Sequence, residues 1–356
     1  MHETNRTEIS TLGEFQLIKH LTQHLTPTNP STIRNAGDDS AVLHYNNNPH
    51  LLLTTDLLTE GIHFDLTYTP LKHLGYKAVA VNLSDIYAMN GTPQQIVAAI
   101  ALSNKFCIED IDELYDGIKL ACKNYNVDLV GGDTNPSLTG LTIAITAIGT
   151  AEENKITYRS GATPNDLICV SGNLGAAYMG LQLLEREKTV FLQQEAEQKQ
   201  PHNLNTTPQP DFTGKEYILE RQLKPEPRRD IIQQLAQAHI QPTSMIDISD
   251  GLSSELLHIC TQSHTGCRIY EERLPIHHQT SLMAQELNLN PVTAALNGGE
   301  DYELLFTAPL ALHDTIKQLN DITIIGHITK PELGHILVTQ DHQELTLKAQ
   351  GWNPLK

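Results

Sequence analysis

The placement of the aspartates constrains this chain more than any other feature of its sequence. In LLLTTD an apolar run stops at Asp56, in VDLVGGDT a second stops through two glycines at Asp133, and in SMIDISDG a third presents Asp247 and Asp250. Strand ends are where folds that mix strands and helices place their chemistry, because loops there are held by a rigid scaffold. NAGDDSAV sets Asp38 and Asp39 side by side before a strand, where two like charges repel unless the pleat separates them or a cation bridges them. The sharpest case is Asp85. In LKHLGYKAVAVNLSDIYAM, Leu74, Ala78, Val81 and Asp85 recur at helical spacing, with Asn82 on a neighbouring line, so the carboxylate lies on the inward face. An ionised group there costs several kcal/mol unless it is paired or coordinates a metal, and few basic residues lie nearby in sequence.

Taken singly, an aspartate after a strand is a turn residue or a helix N-cap, and Asp250, before Gly251 and a helix, is the plainest instance. Taken together, Asp39, Asp56, Asp85, Asp133, Asp247 and Asp250 point to a hard divalent cation, since Mg2+ takes oxygen ligands and keeps several waters.

The 356 residues suffice for two domains. Lysine and arginine number 24 against 42 aspartates and glutamates, and the net charge of -18 argues against a nucleic-acid partner. No run approaches the ~20 apolar residues of a membrane span. Cys107, Cys122, Cys169, Cys260 and Cys267 are odd in number and include no CxxC pair, which suits free thiols in a reducing compartment. The opening MHETNRTEIS lacks the apolar core of a secretory signal, so a cytoplasmic location is expected.

After an amphipathic opening over Gly13 to Leu25, the first half alternates short β-type runs (Ser40 to Tyr45, Leu51 to Thr55, Ile96 to Ser103, Val127 to Gly131, Leu141 to Ala151) with helical ones (Leu71 to Met89, Glu109 to Asn124). The regular βαβ repeat of a doubly wound sheet is missing, so the expected class is α+β, with mixed sheets packed by helices. RSGATPND (Arg159 to Asp166) reads as a linker and puts a domain boundary near residue 155, giving domains 1–155 and 156–356. The second half resumes with a strand over Asp166 to Gly172 and a helix through Leu184. From about Lys188 to Lys215 it is rich in Gln, Pro, Asn and Thr, which predicts an exposed insertion at about 188–215. Beyond it come a helix over Arg229 to His239, strand Ser244 to Ile248, a helix over Leu252 to Cys260, strands at Cys267 to Tyr270 and Tyr302 to Thr307, a helix near Ala311 to Leu319, and two final strands, ITIIGHI and HILVTQ.

No G-x-x-x-x-G-K-[ST] occurs, nor a kinase-type Gly-rich loop, so phosphate would have to be handled by other parts. An acidic chain can bind a nucleoside triphosphate where several Mg2+ ions bridge carboxylates to phosphate oxygens. That supports Mg-dependent phosphate chemistry and names no substrate.

GEFQLI, AGDDSAV, LLLTTDLLTEGIHF, GYKAVAVNLSDIYAMNGTP, DLVGGDT, YRSGATPNDLICVSGNLG, RQLKPEPR, MIDISDGLSSEL and NGGEDYELLFT occur in this order, and together they resemble the thiamine-monophosphate kinase family over about Gly13 to Ile328. NLSD or GGED alone would indicate only the wider superfamily of aminoimidazole ribonucleotide synthetase. The resemblance implies that superfamily's two-domain fold, with an N-terminal ATP- and Mg-binding domain whose sheets pair across a homodimer. It also implies ATP and thiamine monophosphate as substrates and thiamine diphosphate as product. Carried over residue by residue, the magnesium ligands fall on Asp39, Thr54, Thr55, Asp56, Asp85, Asp133, Asp247 and Asp250, with Asp56, Asp133 and Asp247 in the catalytic role. ATP contacts fall on Gly132, Asp133, Arg159, Ser249 and Tyr115. Acceptor contacts fall on His63, Glu300 and Trp352, the last in a tail, GWNPLK, that departs from the family's usual aromatic ending.

Within the superfamily, a selenophosphate synthetase needs a reactive Cys near the N-terminus, and none precedes Cys107; the hydrogenase-maturation relative needs a C-terminal Cys, and none follows Cys267. Another ATP-dependent member resembling aminoimidazole ribonucleotide synthetase is the alternative enzyme. A non-catalytic cation- or nucleotide-binding protein is the alternative of a different class; it would keep the carboxylates without turning over ATP.

Overall fold

The structure is a computed structural model describing residues 13–24, 27–45, 49–198 and 210–350. In the first half, α1 (Gly13–Thr22) is followed by β1 (Thr32–Arg34), β2 (Ala41–Leu43), β3 (His50–Thr59), α2 (Leu71–Ala88), β4 (Thr92–Leu102), α3 (Ile108–Tyr125), β5 (Asp128–Pro136) and β6 (Thr142–Ala151). The strands form one mixed sheet in the order β1-β2-β3-β6-β4-β5, parallel only between β4 and β5. One face carries Leu52, Leu58, Ile96, Ile100, Ile143 and Ile145, all buried against α2 and α3. The other face is bare: Leu53 and Leu57 of β3 are 36% and 56% exposed.

Helix α2 is buried almost all round, from Leu74 to Ser84 without a break, and so reads as a core helix. Two glycines let α3 approach it. A Cβ on Gly75 would lie 2.0 Å from the Leu114 carbonyl oxygen, and one on Gly117 would lie 1.9 Å from that of Lys72.

The second half comprises β7 (Leu167–Ser171), α4 (Ala176–Gln198), α5 (Glu216–Leu223), α6 (Arg229–Gln237), β8 (Ser244–Asp247), α7 (Leu252–Ser263), β9 (Gly266–Tyr270), α8 (His278–Glu286), α9 (Pro291–Asn297), β10 (Leu304–Ala308), α10 (His313–Ile316), β11 (Ile322–Thr329), β12 (His335–Val338) and β13 (Glu344–Thr346). Its sheet runs β13-β12-β9-β11-β7-β10-β8. Helices α7 and α9 cover one face and α6 the other. Strands β7, β8 and β10 are therefore buried at every position, which is why their central residues are apolar instead of alternating with polar ones. Ala88 of α2 belongs to the core beneath α6, so the two halves share packed surface.

Four expectations are corrected. Strand β3 does not stop at Asp56 but pairs with β6 through Thr59, and β5 runs on through Gly131, Gly132 and Asp133 beside β4, because backbone ladders continue irrespective of side-chain polarity. The helix expected through Leu184 runs on: α4 extends to Gln198 with Val190, Phe191 and Leu192 exposed, since Glu, Gln, Ala and Leu sustain a helix without a buried stripe. Of the rest of the expected insertion, 199–209 lies outside the described residues and 210–215 is loop. The helix near Ala311 shrinks to the single turn of α10. Helices α5, α8 and α9 have no counterpart in the sequence reading.

Candidate active site

Three carboxylates far apart in sequence meet where α2 passes between the sheets. Asp39, Asp85 and Asp247 each place an oxygen within 4.8 Å of the other two. Helix α2 does most of the arranging. Thr54 Oγ1 donates to Asp85 Oδ2 at 2.5 Å, and Ser84 Oγ donates to Asp247 Oδ2 at 2.6 Å. Asn82 Oδ1 accepts the Asp56 amide at 3.0 Å while its Nδ2 donates to the Ala78 carbonyl at 3.0 Å, which pins Asp56 to the same helix face.

The adjacent pair Asp38 and Asp39 avoids repulsion by diverging. Asp38 accepts from Arg34 Nε at 2.6 Å and from the Arg159 amide at 2.8 Å, while Asp39 takes the Arg159 guanidinium through Nε at 3.2 Å and Nη2 at 2.8 Å. Desolvation nevertheless dominates. Burial raises the Asp39 carboxyl above its ordinary range despite Arg159, and burial with neighbouring carboxylates pushes Asp85 and Asp247 up further, over the opposing bonds from Thr54 and Ser84. Asp56 is pushed up to about 6 by burial and by Asp39. A converging, all-oxygen donor set with one guanidinium fits a hard divalent cation, which would relieve both desolvation and mutual repulsion.

A second segment closes the site. Glu300 donates its amide to the Ser249 carbonyl at 2.6 Å, Tyr302 donates its amide to the Ile248 carbonyl at 2.8 Å, and both residues adopt left-handed backbone, φ 57° and 51°. This stitches GGEDYE onto DISD, so Asp247, Ser249, Asp250 and Glu300 sit together. Glu255, fully buried on α7, accepts the Asp250 amide at 2.9 Å and holds that turn. His63 follows β3, and its Nδ1 accepts the Thr59 amide at 3.0 Å, which sets the ring orientation.

Not every residue implied by the resemblance joins this group. Register sets Asp133 beside Ala99 and, through Ala99, Ala144 and Leu57, all on the bare face, three strands or about 14 Å from β3. Thr55 shares that face, its Oγ1 donating to the Ile145 carbonyl at 3.0 Å. Within one chain, therefore, Asp133 does not converge with Asp56, because the pleat turns Asp56 toward α2 and Asp133 away from it. Tyr115 packs against the first core, and Trp352 lies outside the described residues. Ser84 was missed; its signal was adjacency to Asp85 on a helix buried on every side.

Residues 37–151 match the family model described as AIR synthase related protein, N-terminal domain, which spans β2 to β6 of the first sheet. The chain is 32% identical over 350 residues to the thiamine-monophosphate kinase of Bacillus subtilis (strain 168), covering 97% of this chain and 100% of that one. The chain belongs to the thiamine-monophosphate kinase family. The family's protein from Aquifex aeolicus (strain VF5) is 33% identical over 323 residues, covering 90% of this chain and 93% of that one. A solved structure, AaThiL complexed with AMPPCP and TMP, superimposes with a TM-score of 0.80 at 29% identity, covering 99% of this chain and 100% of that one. Membership of the thiamine-monophosphate kinase family also fixes the fold as the mixed, two-sheet architecture of the AIR synthase relatives.

Proposed function

We infer that this member of the family transfers the γ-phosphate of ATP to thiamine monophosphate, forming ADP and thiamine diphosphate. The observation that carries the reading is the convergence of Asp39, Asp85 and Asp247 between two sheets whose whole arrangement matches a protein solved with an ATP analogue and TMP. The acceptor oxygen of a phosphate monoester is already largely anionic near neutral pH, so no protein base is required. The obstacle is repulsion between two polyanions, and catalysis rests on in-line positioning and charge neutralisation.

Asp39, Thr54, Asp56, Asp85, Asp247 and Asp250 are the residues that would hold Mg2+, which when bound supplies the positive charge shared between the transferred phosphoryl group and the incoming oxygen. Arg159 and Ser249 bind the nucleotide, and Gly132, next to Asp133 on β5, would contact it from the partner subunit. His63 and Glu300 orient the acceptor. The chain divides into domains 1–155 and 156–356, supported by one sheet ending at Ala151 and the other starting at Leu167.

The working unit is a homodimer. The bare face of the first sheet exposes Leu53 and Leu57, and edge strand β5 exposes Val130 at 58%, an apolar surface that a second copy would cover. Pairing there brings Asp133 and Thr55 to a shared interface, so Asp133 serves the site of the partner subunit. A cytoplasmic location accords with five free cysteines, four of them buried, and with the absence, among the described residues, of any helix long and apolar enough to cross a membrane. A coupled assay of ADP release with thiamine monophosphate, with and without Mg2+, tests the function; turnover only with another acceptor, or none at all, overturns it.

A further inference from the structure

Lys77 is a buried cation that the chemistry so far does not use. It lies on α2, 3% exposed, about 12 Å along the helix axis from Asp85. Its Nζ donates to Glu300 Oε2 at 3.0 Å and to the Gln222 carbonyl at 3.2 Å, and Gln222 Nε2 donates to the same Glu300 oxygen at 2.9 Å. Gln222 is itself 5% exposed, its Oε1 is buried with no hydrogen-bond partner among the described residues, and its Nε2 gives its bond to Glu300.

Glu300 is built differently from its two partners. Its side chain is 27% exposed, both observed side-chain bonds converge on Oε2, and its backbone is held left-handed at φ 57°. Here one oxygen is clamped from two directions while Oε1 takes neither bond, on a partly exposed side chain whose left-handed backbone is uncommon outside glycine.

We propose that Lys77 and Gln222 are positioning residues that aim Glu300 Oε1 at the cationic heterocycle of the acceptor. This rests on Glu300 being an acceptor contact, and it makes α2 a spacer: its Lys77 end fixes the organic part of the acceptor while its Asp85 end faces the phosphate. A fixed carboxylate oxygen is complementary to an organic cation or to an amino N–H donor. It discriminates against phosphomonoesters that carry neither.

Calorimetric binding of thiamine monophosphate and, separately, of a non-hydrolysable ATP analogue tests this on the intact protein, with steady-state KM values for both substrates alongside. Lys77→Met is expected to weaken thiamine monophosphate about tenfold or more while leaving the ATP analogue within about twofold, with Lys77→Arg restoring most of the loss. Gln222→Leu should show the same split more weakly, and it carries the test should Lys77→Met fail to fold. Glu300→Gln separates the two levels. If Glu300→Gln weakens thiamine monophosphate but Lys77→Met and Gln222→Leu do not, or if these two weaken both ligands equally, the positioning role is overturned. If Glu300→Gln leaves thiamine monophosphate affinity unchanged, the assignment of Glu300 beneath it falls.

Discussion

Ser84 Oγ donates to Asp247 Oδ2 at 2.6 Å, joining α2 to β8 across 163 positions of sequence. Both residues are buried, so this bond fixes the carboxylate that the second half contributes against the helix that carries Asp85. Ser84→Ala leaves a buried acceptor without its donor and should lower stability by about 1–3 kcal/mol. Denaturant unfolding in the absence of Mg2+ measures this directly, and an unchanged midpoint would contradict the role given to Ser84.

The raised carboxyls make stability depend on pH in a definite sense. Groups whose folded pKa exceeds the unfolded value stabilise the folded state fully below the ordinary carboxylate range, and the contribution is lost as pH rises through the folded value. For Asp56 that value is about 6, and Asp85 and Asp247, raised well above the ordinary range, carry the loss to higher pH. Metal-free protein should therefore lose thermal stability as pH rises from 4 to 8, while added Mg2+ raises the midpoint more at pH 8 than at pH 5, where protons compete for the same oxygens. Equal Mg2+ shifts at both pH values would show that these carboxylates do not bind the ion.

Asp56→Asn and Asp133→Asn should each leave the fold intact and lower turnover by orders of magnitude. If Asp133 serves the partner's site, mixing the two inactive variants under exchanging conditions regenerates intact sites in mixed dimers, to about a quarter of wild-type activity. No recovery in mixtures shown to exchange subunits would place Asp133 in its own chain's site.

Arg159 now neutralises Asp39, and the nucleotide would compete for that guanidinium. Arg159→Met should raise the KM for ATP and, by removing the internal counter-charge, tighten Mg2+ binding measured by calorimetry. Weaker Mg2+ binding in this variant would mean that the guanidinium supports the cation site instead of competing with it.

Much of this site is legible in the sequence. Asp85 betrayed itself as an acid on the inward line of an apolar helix, and its partners Asp39 and Asp247 stood beside strands that alternate or run apolar. What could not be read was which side of a strand a carboxylate faces once that strand continues past it. Asp56 and Asp133 look equivalent as acids after apolar runs, yet the ladder carries both strands onward and the register sends the two side chains to opposite faces. The extension of α4 past Lys188 was likewise hidden, because it rests on helix propensity alone and leaves no buried stripe.

The sequence by itself determined the α+β class, the core helix α2, the oxygen-rich chemistry of the site and the family, because hydrophobic period and residue type act locally and survive in a one-dimensional pattern. Tertiary structure decided that Asp39, Asp85 and Asp247 meet, that Arg159 neutralises the first of them, that Lys77 and Gln222 grip one oxygen of Glu300, and that Asp133 faces away. Each of those depends on pairing register and helix packing between segments as much as 223 residues apart, and a distance in space between such segments leaves no trace in either residue's own neighbourhood.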